Sequence, residues 1–251
     1  MAEQTGIAWT DSTFNPWIGC TRVGPGCAHC YAEALDRRHK WGGATHWGTG
    51  VPRMRTSPGY WRQPLLWNSA KQGRRVFCAS LADVFDNEVP EEWRADLWRL
   101  IRATPNLTWQ LLTKRIGNAE RMWPGGDYQN VWVGATVVNQ EEADRDIPKL
   151  RALPAAVRFL SVEPMLEQFD LCLMPGEEVS VEAGAARGIH WVIVGGESGS
   201  KRRPFELAWL RSVVEQCHAA SVPVFVKQDS GPKPGQRGRI PDELWIKEFP
   251  V

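Results

Sequence analysis

Residues 108 to 162 read TWQLLTKRIGNAERMWPGGDYQNVWVGATVVNQEEADRDIPKLRALPAAVRFLSV and carry the clearest pattern of secondary structure in the chain. In this stretch, three short apolar runs alternate with two amphipathic segments of helical spacing. The runs are Thr108–Leu112, Val131–Ala135 and Arg158–Val162, and the segments are Ile116–Trp123 and Gln140–Leu153. A strand that is apolar along its whole length is typical of a parallel sheet that helices cover on both faces. The stretch therefore predicts consecutive β/α units.

The same alternation extends to both sides of this stretch. Further apolar runs are Val76–Ala79, His190–Val194 and Val224–Val226, and further helix candidates are Tyr31–Lys40, Pro90–Ala103 and Pro204–Ala220. A first strand near Asn15–Gly19 brings the total to about seven β/α units, and the length of 251 residues suits a barrel of about 250. The predicted fold class is α/β: a full or partial TIM-type (β/α) barrel with parallel strands and outer helices. An open doubly wound sheet is the alternative, since spacing alone does not separate the two.

We expect a single domain over residues 1–251, interrupted twice. Residues 41–75, rich in Gly, Pro, Trp and Arg, predict a long lid-like insertion, and residues 165–188 predict an irregular, acidic excursion. A hydrophobic content of 43% and a charged content of 24% exclude a disordered or fibrous chain. There is neither an apolar run long enough for a membrane helix nor a signal sequence, so we expect a cytoplasmic protein without a membrane partner.

Three cysteines lie close together in the sequence GCTRVGPGCAHCY, residues 19–31. Cys20, Cys27 and Cys30 have the spacing C-x6-C-x2-C, and the Gly-Pro-Gly turn between the first two allows a tightly wrapping backbone. Three thiolates suit zinc or an iron–sulfur cluster. Structural zinc needs a fourth ligand, such as His29, His39 or Cys78, whereas a [4Fe–4S] cluster can take three cysteines and keep one iron open. Cys78, inside an apolar run, is interpreted as a core residue.

Polar residues follow almost every predicted strand. They are Ser80, Asp83, Thr113, Lys114, Arg115, Thr136, Glu163, Glu197, Ser198, Lys227 and Gln228. Chemistry in α/β proteins gathers beyond the carboxyl ends of the strands, so the set predicts a polar pocket there. Glu197 and Lys227 are candidate catalytic acid–base groups for a substrate, or salt-bridge partners across neighbouring strands.

Several motifs together resemble a known family. They are Ile7–Asp11, Asn15-Pro16, Gly19-Cys20, Pro25–Cys27, Cys30–Ala32, Ser80–Phe85, Leu112–Arg115, Ser161–Pro164, Gly195–Gly199 and Val226–Gln228. The chain is similar, nearly end to end, to the phage-type three-Cys-motif proteins, and its cysteine loop resembles that of the radical S-adenosylmethionine superfamily. The resemblance implies that Cys20, Cys27 and Cys30 bind a [4Fe–4S] cluster. It also implies that the open iron holds S-adenosylmethionine, which one electron cleaves to methionine and a 5′-deoxyadenosyl radical.

The resemblance also implies cofactor-binding residues and partners. His29 would stack on the adenine, and the remaining candidates are Tyr31, Ser80, Asp83, Thr113, Lys114, Thr136 and Glu163. Ser80 or Asp83 would bind the methionine amino group, Thr113 or Lys114 its carboxylate, and Thr136 the ribose. The implied partners are an electron donor of the flavodoxin or ferredoxin type, a nucleic-acid or nucleotide substrate and a three-Cys-motif partner protein. Two features depart from the superfamily: its usual spacing is C-x3-C-x2-C, and its Gly-Gly-Glu motif follows the second strand, whereas here Gly195–Glu197 follows the sixth.

Two alternatives from other functional classes stay open. The first is a zinc-stabilised module for binding nucleic acid or another partner, with basic clusters at residues 37–40, 201–203 and 235–239 as phosphate contacts. The net charge of +1 does not require such a role. The second is an iron–sulfur protein whose cluster is structural or redox-sensing and catalyses no cleavage.

Overall fold

The structure is a computed structural model that describes residues 5–70, 73–126, 128–173 and 188–250. Contacts within the chain divide it into two compact units, Met1–Trp132 and Val133–Val251. No helix in the described ranges combines the length and the hydropathy needed to cross a bilayer.

Nine strands occur in the described residues, and seven of them form one sheet. They are β1 (Ser12–Thr13), β2 (Trp17–Ile18), β3 (Met54–Arg55), β4 (Arg74–Cys78), β5 (Leu107–Thr113), β6 (Tyr128–Thr136), β7 (Ala155–Val162), β8 (Trp191–Gly195) and β9 (Val224–Gln228). The sheet has the order β1-β4-β5-β6-β7-β8-β9, and the pairs β1–β4, β4–β5, β7–β8 and β8–β9 are parallel. The order follows the chain and never reverses, whereas a doubly wound sheet reverses at its switch point. The α/β class with a partial (β/α) barrel order is therefore confirmed, with seven strands.

The predicted helices are confirmed to within a few residues. The helices are α1 (Tyr31–His39), α2 (Pro58–Trp61), α3 (Gln63–Ala70), α4 (Glu91–Arg102), α5 (Ile116–Met122), α6 (Gln140–Arg151) and α7 (Leu207–Ala219). Side-chain hydrogen bonds mark the start of α6. The Asn139 side chain accepts a hydrogen bond from the Glu142 amide at 2.9 Å, and the Glu142 carboxylate accepts one from the Val138 amide at 3.1 Å. The first bond satisfies an amide in the first turn of α6 that has no helical partner, and the second ties the residue before the N-cap to the same turn.

Each unit has its own aromatic core. In the first unit, the Phe14 ring stacks on Tyr60 with centroids 5.0 Å apart and meets Trp109 edge-on at 5.7 Å. In the second unit, Trp191 packs on Phe159 with ring centroids 5.7 Å apart. All five residues of β8 are buried, as the continuous apolar run predicts for a strand with helices on both faces.

The first strand of the sheet lies earlier than the sequence predicts. The prediction near Asn15–Gly19 is wrong, because the sheet begins with β1 at Ser12–Thr13, whereas β2 pairs antiparallel with β3. Pro16 offers no N–H to a ladder, so the pairing with β4 stops before it and the apolar residues after it pair elsewhere.

The 41–75 segment contains more regular structure than expected. It holds β3, α2, α3 and the start of β4, apart from residues 71 and 72, which lie outside the described residues. Elements of two to eight residues are too short to show a period in sequence. Of the predicted excursion at 165–188, residues 165–173 contain neither helix nor strand, and residues 174–187 lie outside the described residues.

Candidate functional site

The cysteine loop, residues 19–31, belongs to the first unit and leaves β2 through a glycine. Gly19 has φ +114°, and a Cβ at this position would lie 2.3 Å from the His46 carbonyl oxygen. Its amide donates to the Leu81 carbonyl at 3.1 Å, so the loop starts beside the segment that follows β4. A short 3-10 turn at Pro25–Cys27 then leads to Cys30, the N-cap residue of α1.

All six cysteines of the chain are free. In the loop, Cys20 and Cys30 have different environments. Burial raises the pKa of Cys30, while backbone amides of Glu33 and Ala32 and the charge of Lys114 oppose the shift. Burial and the nearby Asp83 raise the pKa of Cys20 to about 12, against the opposing effect of Arg115. In the described ranges, no three His, Cys, Asp or Glu side chains lie close enough to hold a metal ion as they stand.

Arg115 connects Cys20 to the end of β5. Its Nη1 donates to Cys20 Sγ at 3.1 Å and lies 3.4 Å from Asp83 Oδ2, while Nη2 donates to the Thr21 carbonyl at 2.6 Å. The side chain is 7% exposed. Burial alone would lower the pKa of Arg115, but Asp83, Cys20 and Asp86 raise it above its ordinary value, so the group is a fixed cation.

Asp83 is the anchor of this arrangement. Its Oδ1 accepts bonds from the Thr113 hydroxyl at 2.7 Å and the Phe85 amide at 2.9 Å, and its Oδ2 accepts one from the Lys114 amide at 3.1 Å. The carboxylate thus joins the segment after β4 to the end of β5. It also fixes the backbone from which the Lys114 and Arg115 side chains project.

A second buried arginine attaches part of the 41–75 segment to the cysteine loop. The Arg53 side chain is fully buried, and its Nε donates to Asp86 Oδ2 at 2.9 Å. Its Nη2 donates to the Thr21 hydroxyl at 2.7 Å. Its Nη1 donates to the carbonyls of His46, Gly48 and Val51 at 3.2, 3.0 and 2.8 Å. In addition, the Gly48 amide donates to the Cys20 carbonyl at 2.9 Å. This part of the predicted insertion is therefore hydrogen-bonded to the cysteine loop.

Tyr31, the last residue of the cysteine loop, contacts Ser80 in the segment that follows β4. Asn15 Nδ2 donates to the Ser80 hydroxyl at 3.1 Å, and Asn15 Oδ1 accepts a bond from the Leu81 amide at 2.7 Å. The Tyr31 hydroxyl donates to the Ser80 carbonyl at 2.8 Å, although the Tyr31 side chain is 55% exposed. His29 is exposed on the loop.

The second unit contains a separate polar cluster at the ends of β7, β8 and β9. Lys227 Nζ lies 3.1 Å from Glu163 Oε1, so the two form an ion pair across β8. The pair depends on Gly195, because a Cβ there would come within 3.0 Å of the same Glu163 oxygen. Burial lowers the pKa of the nearby Lys247 to about 8, and its ammonium lies 3.5 Å from the centre of the Trp245 ring.

Other polar candidates in the second unit are engaged with neighbours. Glu197 accepts two bonds from the Arg203 guanidinium, at 2.7 and 3.1 Å, and Thr136 is buried. The Arg239 guanidinium donates to both oxygens of Asp229, at 2.9 and 3.0 Å. Two of the arginines considered as phosphate contacts, Arg203 and Arg239, therefore pair with carboxylates of their own chain.

The structure gathers some of the predicted residues and leaves others in separate clusters. In the first unit, contacts or electrostatic interactions link Cys20 with Asp83, Asp83 with Thr113, Cys30 with Cys27 and Lys114, and Tyr31 with Ser80. In the second unit, Glu163 forms an ion pair with Lys227, whereas Glu197 forms an ion pair with Arg203. The roles of Thr136, Glu163, Glu197 and Lys227 stay predictions.

The sequence assigned no role to Arg53, Asp86 or Lys247, and it marked Arg115 as a polar residue after a strand and as part of the motif Leu112–Arg115 without a role of its own. A signal existed for Arg115, since it directly follows a predicted strand and the candidates Thr113 and Lys114. No comparable signal marked Arg53, because its segment shows no period and its side-chain partners Asp86 and Thr21 are more than 30 residues away in sequence.

The fold and the site together define an α/β protein with a parallel sheet in barrel order and a loop that carries three free cysteines. The chain belongs to the family described as "Protein of unknown function (DUF5131)", whose family model matches residues 4–242. A comparison with curated proteins and a comparison with solved structures find no match.

Proposed function

We propose that this protein is a radical S-adenosylmethionine-type enzyme whose cysteine loop binds a [4Fe–4S] cluster through Cys20, Cys27 and Cys30. One observation carries the proposal: sulfur atoms of the loop lie next to N–H donors and cations. Arg115 donates to Cys20, and the amides of Ala32 and Glu33 at the start of α1 and the charge of Lys114 act to lower the pKa of Cys30. Ligating cysteines are thiolates, and such donors stabilise negative charge on sulfur.

The ligands that the loop offers suit a [4Fe–4S] cluster chemically. They are three thiols on one loop, which leaves one iron open for a small molecule. When bound, the cluster would supply the one electron that splits a carbon–sulfur bond of S-adenosylmethionine, after an external donor of the flavodoxin or ferredoxin type has reduced it.

The residues around the loop would bind and orient S-adenosylmethionine. Lys114, close enough to Cys30 to affect its pKa, offers an ammonium to the methionine carboxylate. Asp83 holds Lys114 in place through its amide, and this hydrogen bond gives Asp83 a positioning role as well as its predicted binding role. The exposed ring of Tyr31, directly after Cys30, offers a stacking surface for the adenine, as does His29.

We also propose a cellular compartment and a substrate class. Six free thiols favour a reducing compartment, so we place the protein in the cytoplasm. A nucleotide or nucleic-acid substrate, and a three-Cys-motif partner protein, follow from the family resemblance alone.

The test is anaerobic purification and reconstitution with iron and sulfide, followed by iron, sulfide and zinc analysis. Wild-type protein and a Cys172→Ala control should be brown, with iron and sulfide in the ratio of a [4Fe–4S] cluster. Cys172 is a suitable control because it is an exposed free cysteine outside the loop. Cys20→Ala, Cys27→Ala and Cys30→Ala should each lose most of the iron. With a reductant and S-adenosylmethionine, wild type should release 5′-deoxyadenosine and methionine.

Two results would overturn the proposal in different ways. A colourless wild-type protein with one tightly bound zinc would contradict the cluster and favour the zinc-stabilised module. A stable cluster without deoxyadenosine above the Cys30→Ala background would contradict the cleavage chemistry and favour a redox protein.

A further inference from the structure

We infer that Arg115 is a positioning residue that fixes the Cys20 sulfur and, once a cluster is bound, raises the reduction potential of that cluster. The second half of this inference rests on the proposed function, and the first half does not. No role of this kind was assigned to Arg115 from the sequence.

The Arg115 guanidinium donates hydrogen bonds to two consecutive residues of the loop. Nη1 donates to the Cys20 sulfur at 3.1 Å, and Nη2 donates to the Thr21 carbonyl at 2.6 Å. The two bonds fix both the side chain of Cys20 and the backbone that follows it. A planar guanidinium suits this task because its donors keep a fixed relative geometry.

The guanidinium is itself held rigidly. The Arg115 amide donates to the Thr113 hydroxyl at 2.8 Å, and the same hydroxyl donates to Asp83 Oδ1 at 2.7 Å. Asp83 Oδ2 lies 3.4 Å from Nη1, and Asp86 Oδ1 lies 3.9 Å from Nη2. Two carboxylates therefore balance the charge of Arg115, and the same two nitrogens that approach them also donate to the loop.

The environments of Cys20 and Cys30 differ in a way that singles out Arg115. Main-chain amides of α1, which no side-chain substitution removes, act on the pKa of Cys30, and its side chain accepts no cap hydrogen bond. The Cys20 sulfur receives a buried side-chain donor, which a substitution can remove. Hydrogen bonds to ligating sulfurs are one of the determinants of the potential of iron–sulfur clusters, since they stabilise the more negative, reduced state. Loss of the Arg115 donor should therefore lower the potential.

Two measurements on Arg115→Met test the inference, with Arg94→Met as the matched control. Arg94 is also a buried arginine near Asp86, but its guanidinium donates to the carbonyls of Val84 and Asp86, at 2.9 and 2.7 Å. In the protein without iron, amide hydrogen exchange over residues 19–22 should become faster in Arg115→Met and stay at the wild-type rate in Arg94→Met. In reconstituted protein, a spectroscopic redox titration should give a more negative potential for Arg115→Met and a wild-type potential for Arg94→Met.

Arg115→Lys keeps the positive charge and one donor, and it guards against a methionine variant that fails to fold. It should recover part of the potential shift and little of the exchange protection, because a flexible ammonium lacks the rigid planar fork that holds the two acceptors in a fixed relative position. Unchanged exchange over residues 19–22 in both Arg115 variants would overturn the positioning role. A wild-type potential in reconstituted Arg115 variants would overturn the tuning role. Faster exchange in variants of a protein that takes up no iron would support the positioning role while contradicting the proposed function.

Discussion

Replacing Arg53 with methionine should destabilise the first unit and release residues 46–53 from the cysteine loop. Methionine keeps the apolar stem and removes five hydrogen bonds, one of them to the buried Asp86 carboxylate. Removal of one partner of a buried ion pair costs about 3–5 kcal/mol. Asp86 retains a bond from the Glu88 amide at 3.1 Å and the more distant Arg115, so we expect the lower end, about 3 kcal/mol.

The assay is urea denaturation followed by circular dichroism, combined with thermolysin cleavage to locate the released segment. Arg55→Met is the matched control, because Arg55 lies two residues away, is partly exposed and pairs with Asp96. A surface pair of this kind is worth about 0–1 kcal/mol. Equal denaturation midpoints for Arg53→Met and Arg55→Met, together with wild-type cleavage at residues 46–53, would refute the assignment of Arg53 as the support of the loop.

Two further predictions concern the second unit. Gly195→Ala should lower its stability by about 1–3 kcal/mol, because the new Cβ would lie 3.2 Å from the Gln228 backbone carbonyl, which cannot rotate away, and 3.0 Å from Glu163 Oε1. Thermal denaturation checks this against Gly6→Ala, whose Cβ would meet nothing within 4 Å, and equal shifts would contradict the crowding. Burial and the charge of Arg158 lower the pKa of His190 from 6.5 to about 4. The unfolded chain therefore takes up this proton first on acidification, and stability should fall between pH 6.5 and 4, by at most about 3 kcal/mol. Urea titrations across this range should show a flatter profile for His190→Gln, and an unchanged profile would rule out His190 as the source.

The sequence predicted the elements of this fold better than their arrangement. The runs Thr108–Leu112 and Arg158–Val162 became β5 and β7, because a strand buried on both faces must be apolar at nearly every position. The first strand was misplaced, since two residues of pairing in β1 leave almost no pattern. The cysteine loop was found directly from its spacing and its glycines.

The same contrast holds for the candidate site. Apolar patterns and cysteine spacing are properties of neighbouring residues, so the α/β class, the helices and the three candidate thiols could be predicted from the sequence alone. The choice of barrel order over a doubly wound sheet needed the strand pairing, because both orders use the same elements. Only the tertiary structure brought Arg115 to Cys20, 95 residues away, and Arg53 to Asp86, 33 residues away. A buried guanidinium requires acceptors in space rather than at any fixed spacing along the chain, and folding alone supplies them.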